Sequence, residues 1–320
     1  RDYPEHIKPL ACAMPLNPFS GKNKLALTAA SWIYRALAAA EGHEVGKIAF
    51  LDPSQTRDLL PLLAPAAKHG VFTWTDAQVP EVQVFNNVLR NEAVESGVVL
   101  LEDTRVTKIQ RTSLGFSVGI QSSEDSSQLS SRCVINSSGP WIDSIEVNGV
   151  PEFSPPARLW CRAFNIVLTR KIESTHAIGV PTPQGRLLFL VQRNTSSAIG
   201  TWYLKLNSTA DSAQISEHEV SAALQEMNSC LPDLNLSFDD VSNIECGVLP
   251  VKRYVLERPV LFGSERIECR HGYLDLTSTK YTTFRTQAKR VVSQLDPFFS
   301  KQVGIVAEHK SGTKEADSLT

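Results

Sequence analysis

The sequence predicts an α/β protein whose two domains are interleaved along the chain, and three observations carry that expectation. Helical periodicity dominates roughly the first hundred residues. It then gives way to period-two alternation, and a block of antiparallel-type strands broken by one helix precedes a closing strand and helix. A chain of 320 residues with 42% apolar content can bury a large core, and its length suits one large or two smaller domains.

Residues 1–20 are Pro-rich and apolar and lead into a helix from about Lys22 to Ala40, which Gly42 ends in the manner of a C′ glycine. A second helix is expected over Ser54–Leu63, with Ser54 as cap and Pro61 and Pro65 limiting its extent. A short strand over Gly70–Thr75 and a helix over Pro80–Ser96 follow, with Pro80 suited to a first turn and Gly97 closing the element. The runs 98–111, 115–121 and 133–139 alternate and read as strands, and the Ser-rich stretch 122–131 reads as a solvated loop or hairpin tip. Beyond a Pro-rich linker at 151–156, the runs 161–170, 185–192 and 199–206 read as antiparallel strands. A helix over Ser216–Cys230 interrupts this series. Strands resume at 244–250 and 259–277, the last helix covers Thr282–Leu295, and the polar tail 308–320 reads as disordered.

Composition narrows the function. Net charge is −2 and no run of Lys and Arg forms a nucleic-acid footprint, so a polyanion partner is not expected. Six scattered cysteines without a C-x-x-C pair argue against zinc and against a disulfide scaffold, and fit a reducing compartment. Seven histidines show no metal spacing, and neither G-x-S-x-G nor a Ser–His–Asp arrangement is present. No stretch of about 18 apolar residues could span a bilayer. The chain starts at Arg1 without an initiator Met and reads as a fragment or a processed chain.

Three segments hold groups suited to chemistry. In CVINSSGPW (133–141) a buried strand ends in small residues and Gly, where backbone can approach a cofactor closely; an ordinary strand-to-helix turn is the plainer reading. In TSTKYTTFRTQA (277–288) a strand delivers Lys280 and two threonines to a helix start, whose free amides attract an anion or carbonyl dipole; Thr282 or Thr283 as a simple cap is the alternative. Arg186, Thr201, Lys252 and Arg253 either line a cleft or stand as solvated strand ends.

Together these segments resemble the D-amino-acid-oxidase superfamily and, within it, the FAD-dependent glycerol-3-phosphate dehydrogenases. Residues 81–107 resemble the family's helix ending in Ala and Gly and the strand beyond it, CVINSSGPWIDSI its "N-A-t-G-p-W" strand, and KYTTFRTQA its closing K-x-x-T-Y-R-x-x-A signature with Phe284 in place of Tyr. The resemblance runs from about Pro9 to Val292. It implies an FAD-binding Rossmann-like domain from 77–148 and 272–305, incomplete because the first βαβ unit with its G-x-G-x-x-G turn is not in the sequence. It implies a substrate domain from 1–76 (its helical part) and 149–271 (its antiparallel sheet), and leaves 306–320 as a tail. By the same resemblance Val106, Ser138, Gly139 and Trp141 contact FAD, Lys280 and Thr282 lie beside its isoalloxazine, and Thr201, Asn165, Lys280 and Arg266 face the substrate.

The implied reaction oxidises a small polyol phosphate or related alcohol by hydride transfer to FAD, in a cytoplasmic or peripherally membrane-bound enzyme with quinone or oxygen as electron acceptor. Departures qualify the substrate. Ser278-Thr279 replace a glycine pair, Leu249 replaces the Arg of a G-V-R-P motif, and Asn165 replaces a His; the Arg and His help hold phosphate or the reacting alcohol in the family. A catalytically silent homologue and a same-superfamily oxidase acting on an amine or amino acid are the alternative readings.

Overall fold

The computed structural model describes residues 3–19, 21–40, 46–123, 125–151, 158–206 and 213–299. In chain order the elements are β1 (Lys8–Pro15), α1 (Lys24–Ala40), β2 (Ala49–Leu51), α2 (Pro53–Leu59), β3 (Val71–Gln78), α3 (Val82–Glu95), β4 (Arg105–Arg111), β5 (Phe116–Gln121), β6 (Ser126–Ser131), β7 (Val134–Asn136), β8 (Glu146–Asn148), β9 (Leu159–Leu168), β10 (Ala177–Pro181), β11 (Leu187–Gln192), β12 (Ser197–Lys205), α4 (Glu217–Cys230), β13 (Val241–Val255), β14 (Arg258–Leu261), β15 (Arg266–Arg270), β16 (Tyr273–Thr277) and α5 (Phe284–Phe299).

Packing divides the chain into two compact units, one of Arg1–Leu100 and Cys161–Val248, the other of Leu101–Trp160 and Leu249–Thr320. The chain thus passes between them three times. These are units of packing; the substrate and cofactor domains expected above are defined by ligand and form a separate division.

The first unit is built on a sheet with strand order β13-β9-β12-β11-β10-β1-β3-β2. From β9 to β2 its pairs are antiparallel except β1 with β10. One face carries Phe164, Ile166 and Leu168 of β9, Leu188 and Leu190 of β11, and Ile199 and Trp202 of β12. It packs against Val220, Ala223, Leu224 and Met227 of α4 and against Leu60, Leu63 and Ala67. Helix α4 starts where Ser216 accepts from the Glu219 amide while Glu219 accepts in return, a capping box that satisfies two otherwise unpaired donors. With α4 and its neighbours covering one face, the residues that alternate out of the core, Leu187, Phe189 and Val191 of β11 and Asn165 of β9, lie on the other.

The second unit holds two smaller sheets, β15-β16-β7 and β6-β5-β4-β8. The first packs Leu274 against Val291 and Leu295 of α5, and Ile109, Phe116, Val118, Val150 and Tyr273 form a separate cluster. Strands β16 and β7 are parallel, with Tyr273 opposite Val134 and Asp275 opposite Asn136. Both therefore deliver their carboxyl ends, Ser137–Gly139 and Ser278–Lys280, to the same edge of the sheet. Residues His271 and Gly272 join β15 to β16 with φ of 48° and 89°, a two-residue hairpin whose positive φ at both positions suits strand twist.

Several sequence expectations change in detail. The cap of α2 is Asp52, two residues before Ser54: its carboxylate accepts from the Gln55 amide at 2.8 Å, the Gln55 side chain accepts from the Asp52 amide at 3.0 Å, and Pro53 occupies the first turn. That helix ends at Leu59, and Pro61–Leu63 form a 3₁₀ turn. The polar stretch 126–131 is a full edge strand, because backbone pairing to β5 holds it while its serine side chains face water. Residues 98–104 form no strand, leaving Val99 81% exposed. Strands β1, β2, β8 and β10 are additional to the sequence reading; Pro9 and Pro15 mask β1, yet its register against β3 is complete over eight pairs. Gly42, most of the 151–156 linker and the tail fall outside the described residues.

Candidate functional site

The face of the first unit's sheet opposite α4 floors a pocket of about 1320 Å³. Its floor comes from Asn165, Leu187, Phe189, Val191, Gly200 and Thr201, and its walls from the segment Gln78–Gln83 and the turn Gln192–Ser196. A bulge shapes the floor. Gly200 pairs with Asn165 and Trp202 with Phe164, which leaves Thr201 as an extra residue on β12. A bulge of this kind re-aims a side chain; here Ile199 and Trp202 both reach the core and Thr201 lines the pocket. Gly200 is required by close approach. A Cβ on it would stand 2.1 Å from Asn165 Oδ1 and 3.2 Å from Asn165 Cα.

The polar groups around the floor include two bonded pairs, Thr201 with Asn165 and Arg193 with Glu245. The Thr201 hydroxyl donates to Asn165 Oδ1 at 2.9 Å, and the Glu245 carboxylate lines the same pocket. Arg193 grips that carboxylate with both Nη atoms, at 2.6 and 2.8 Å. The Arg193 bonds hold the Glu245 carboxyl below its usual range, with burial working the other way. Burial pushes the Tyr203 phenol up, against the opposing influence of Thr201. Asn165 and Thr201, both anticipated from sequence, are thus brought together. Arg193, Glu245 and Tyr203 were not anticipated: a turn Arg and a strand Glu 52 residues apart give no local signal of their pairing. Arg186 does not line this pocket; its Nε lies 3.3 Å from the nearly buried Glu226.

In the second unit, Asn136 organises the turn after β7. Its Oδ1 accepts from the Ser138 hydroxyl at 2.7 Å and from the Ser138 amide at 3.3 Å, while its Nδ2 donates to the Ile142 carbonyl and the Tyr273 hydroxyl. Tyr273 donates to Asp275 at 2.5 Å, and Asp275 accepts from Arg158 at 2.7 Å. Arg158, only 6% exposed, also pairs with Asp143. Burial drives the Asp275 carboxyl up, although Tyr273 and Arg158 oppose it. Gly139 follows with φ of 62° and nothing within 4 Å of where a Cβ would sit, so its backbone is open to close approach.

At the neighbouring strand end Lys280 opens the turn Tyr281–Thr283, and its carbonyl accepts from Thr283 and Gln287. Lys280 is the N-cap of that turn and makes no side-chain capping bond. Lys280 lines a cavity of about 210 Å³ with Ser278, Thr283, Thr286 and Arg290. Trp141 is half exposed on the 3₁₀ turn Gly139–Ser144, and Val106 lies on β4. Arg266 bonds Glu268 at 2.7 Å and sits over the Phe262 ring. Of the anticipated residues, Asn165 and Thr201 belong to the first unit; Lys280, Arg266, Val106, Ser138, Gly139, Trp141 and Thr282 belong to the second. No group of His, Cys, Asp and Glu among the described residues could hold a metal, and none of their helices is long and apolar enough to cross a membrane.

A small mixed sheet whose parallel pair β16 and β7 carries a glycine turn at its carboxyl edge, joined in one chain to a larger sheet flooring a polar pocket, defines a mixed α/β fold of the flavin-oxidoreductase type. The chain belongs to the FAD dependent oxidoreductase family, whose pattern matches residues 17–278. It is 21% identical over 312 residues to an aerobic glycerol-3-phosphate dehydrogenase of Staphylococcus saprophyticus, covering 94% of this chain and 55% of that protein. The FAD complex of the Bacillus halodurans glycerol-3-phosphate dehydrogenase superposes with a TM-score of 0.68 at 19% identity, covering 92% of this chain and 53% of that one. Glycine oxidase from Geobacillus kaustophilus gives 0.61 at 12% identity, covering 94% and 74%. The chain thus spans about half the length of the first of these relatives.

Proposed function

We propose that the protein oxidises a small hydroxylated substrate, a polyol phosphate or related alcohol, with FAD as the oxidant. The observation that carries this reading is the polar floor of the first unit's pocket, where Asn165 and Thr201 stand side by side in a chain of this family. Bound FAD supplies a hydride acceptor. The carboxyl edge of β7 and β16 fits such a group, since ligands of open α/β sheets bind beyond the carboxyl ends of the strands. There Gly139 leaves its backbone open and Ser138 is held by Asn136. Ser138, Gly139 and Trp141 on one strand end, Lys280 and Thr282 on the other, and Val106 on β4 would hold the cofactor.

In this reading Asn165 and Thr201 orient the alcohol, whose carbon loses a hydride and whose hydroxyl loses a proton to give a carbonyl. Lys280 places a cation where negative charge develops. Glycerol 3-phosphate itself is expected to be a poor substrate, because Leu249 and Asn165 stand where similar proteins carry the Arg and His that hold phosphate or alcohol.

The test is anaerobic mixing of the flavin-loaded protein with glycerol, glycerol 3-phosphate, glycine and proline while the flavin's visible absorbance is followed. Bleaching by the alcohols, faster with glycerol than with its phosphate, is the expected result. Bleaching by an amino acid and by neither alcohol would move the protein to the amine-oxidising branch.

A further inference from the structure

We propose that Arg158 is a positioning residue for the cofactor: its guanidinium bridges the two strand ends that hold FAD and fixes the spacing between them. The proposal rests on the reading of the carboxyl edge of β7 and β16 as the cofactor's seat.

The need for a bridge follows from where the backbone ladder stops. Strands β7 and β16 pair only as far as Asn136 and Asp275. Ser138, Gly139 and Trp141 on one side, and Lys280 and Thr282 on the other, all lie past that last pair. The ladder itself therefore does not set their separation.

Side chains continue the crossing. Arg158 Nη2 donates to Asp275 Oδ2 at 2.7 Å, and its Nη1 bonds Asp143 on the 3₁₀ turn Gly139–Ser144. One planar group thus holds both the last paired residue of β16 and the turn that begins at Gly139. A second crossing lies beside it: Asn136 Nδ2 donates to the Tyr273 hydroxyl at 3.1 Å, and Tyr273 donates to Asp275 Oδ1 at 2.5 Å. Asp275 is where the two crossings meet. Asn136 holds the turn at Ser138 and Ile142, and Arg158 holds the next residue, Asp143. A lysine, a point charge on a flexible stem, could not grip two carboxylates from one rigid plane.

The two ends of the bridge differ in burial. Arg158 and Asp275 are 6% and 3% exposed, whereas Asp143 is 39% exposed. Removing Asp275 strips a buried guanidinium of its buried partner and lowers stability, while removing Asp143 leaves the buried pair intact and lowers it little. A bridge, however, is broken equally by losing either end. Cofactor affinity and stability are thereby separable.

The test compares Asp143→Ala, Asp275→Ala and Arg158→Lys with wild type. FAD affinity is read from the change in flavin absorbance on titration, stability from the urea midpoint without FAD, and the state of the turn from the Gly139 backbone amide signal in a proton–nitrogen correlation spectrum. FAD affinity should fall about tenfold in Asp143→Ala and by a similar factor in the other two, the scale of a site that must be ordered before it is filled. The double variant of Asp143→Ala and Asp275→Ala should bind no more weakly than either single one, since a bridge breaks only once. The urea midpoint should fall far more in Asp275→Ala than in Asp143→Ala, and the Gly139 signal should move in all three. Should Asp275→Ala fail to fold, Asp143→Ala and Arg158→Lys decide the question alone.

If affinity follows the midpoint, so that Asp143→Ala binds FAD like wild type, Arg158 is structural only and the positioning role is overturned. If the Gly139 signal moves in Arg158→Lys but FAD affinity holds in every variant, the bridge does not serve the cofactor, and the proposal is overturned while the cofactor's seat stands. If wild type binds no FAD, the reading of these strand ends fails, and the proposal falls with it.

Discussion

Replacing Gly200 by Ala should be the most informative small change in the pocket floor. The added methyl would lie 2.1 Å from Asn165 Oδ1 and 2.9 Å from Cγ, where real contacts do not fall under 3.0 Å. The side chain can rotate away, but Asn165 Cα, at 3.2 Å, belongs to the paired strand and cannot. Rotation breaks the bond from Thr201, a loss of about 1 kcal/mol, and the overpacking of two paired strands adds about 1–2 kcal/mol.

A total of about 2–3 kcal/mol is therefore expected, read from urea unfolding of the variant against wild type. Gly247→Ala is the control: nothing lies within 4 Å of a Cβ there, so the change should stay within about 0.5 kcal/mol. In an Asn165→Ala background the side-chain part of the clash is gone, and Gly200→Ala should be milder by at least about 1 kcal/mol, a direct measure of coupling. Gly200→Ala matching Gly247→Ala, or no coupling with Asn165→Ala, would refute this account of the floor.

Three further outcomes follow from the structure. Lys280→Met keeps the apolar stem and deletes the charge; in the flavin-loaded enzyme it should lower the rate of flavin reduction about a hundredfold with stability nearly unchanged, and wild-type rates would remove Lys280 from the site. Asp275→Ala leaves the 6%-exposed Arg158 with only Asp143, so unfolding should cost about 3 kcal/mol less, whereas a change under 1 kcal/mol would mean that the buried pair is expendable. Burial and the nearby Asp76 push the Cys12 thiol up to about 11, so it should resist an alkylating reagent at neutral pH in the folded protein while the exposed Cys246 reacts, as peptide mass analysis would show.

Much of the fold was legible in residue order because it rests on local physics. The helices α1, α3, α4 and α5 follow from apolar spacing, and Ser216 with Glu219 announces a helix start wherever it occurs. Strands β9, β11 and β12 follow from alternation. The Lys280 and Gly139 strand ends could be located because small residues and Gly mark them. Among the strands local pattern did not show are β1, masked by its prolines, and β6, whose polar side chains hide a backbone fully paired to β5.

The working arrangement of the pocket lies beyond any local pattern. Thr201 reaches the floor because β12 carries one more residue than β9 between their pairings, a fact of register and not of composition. Arg193 and Glu245 are unremarkable charges until the fold brings the β11–β12 turn within reach of β13 across β9. Sequence determined which segments coil, extend and turn, since those choices depend on neighbours within a few residues. Only the tertiary structure decided which polar groups meet, because a hydrogen bond between residues 36 or 52 positions apart depends on how the intervening strands are laid side by side.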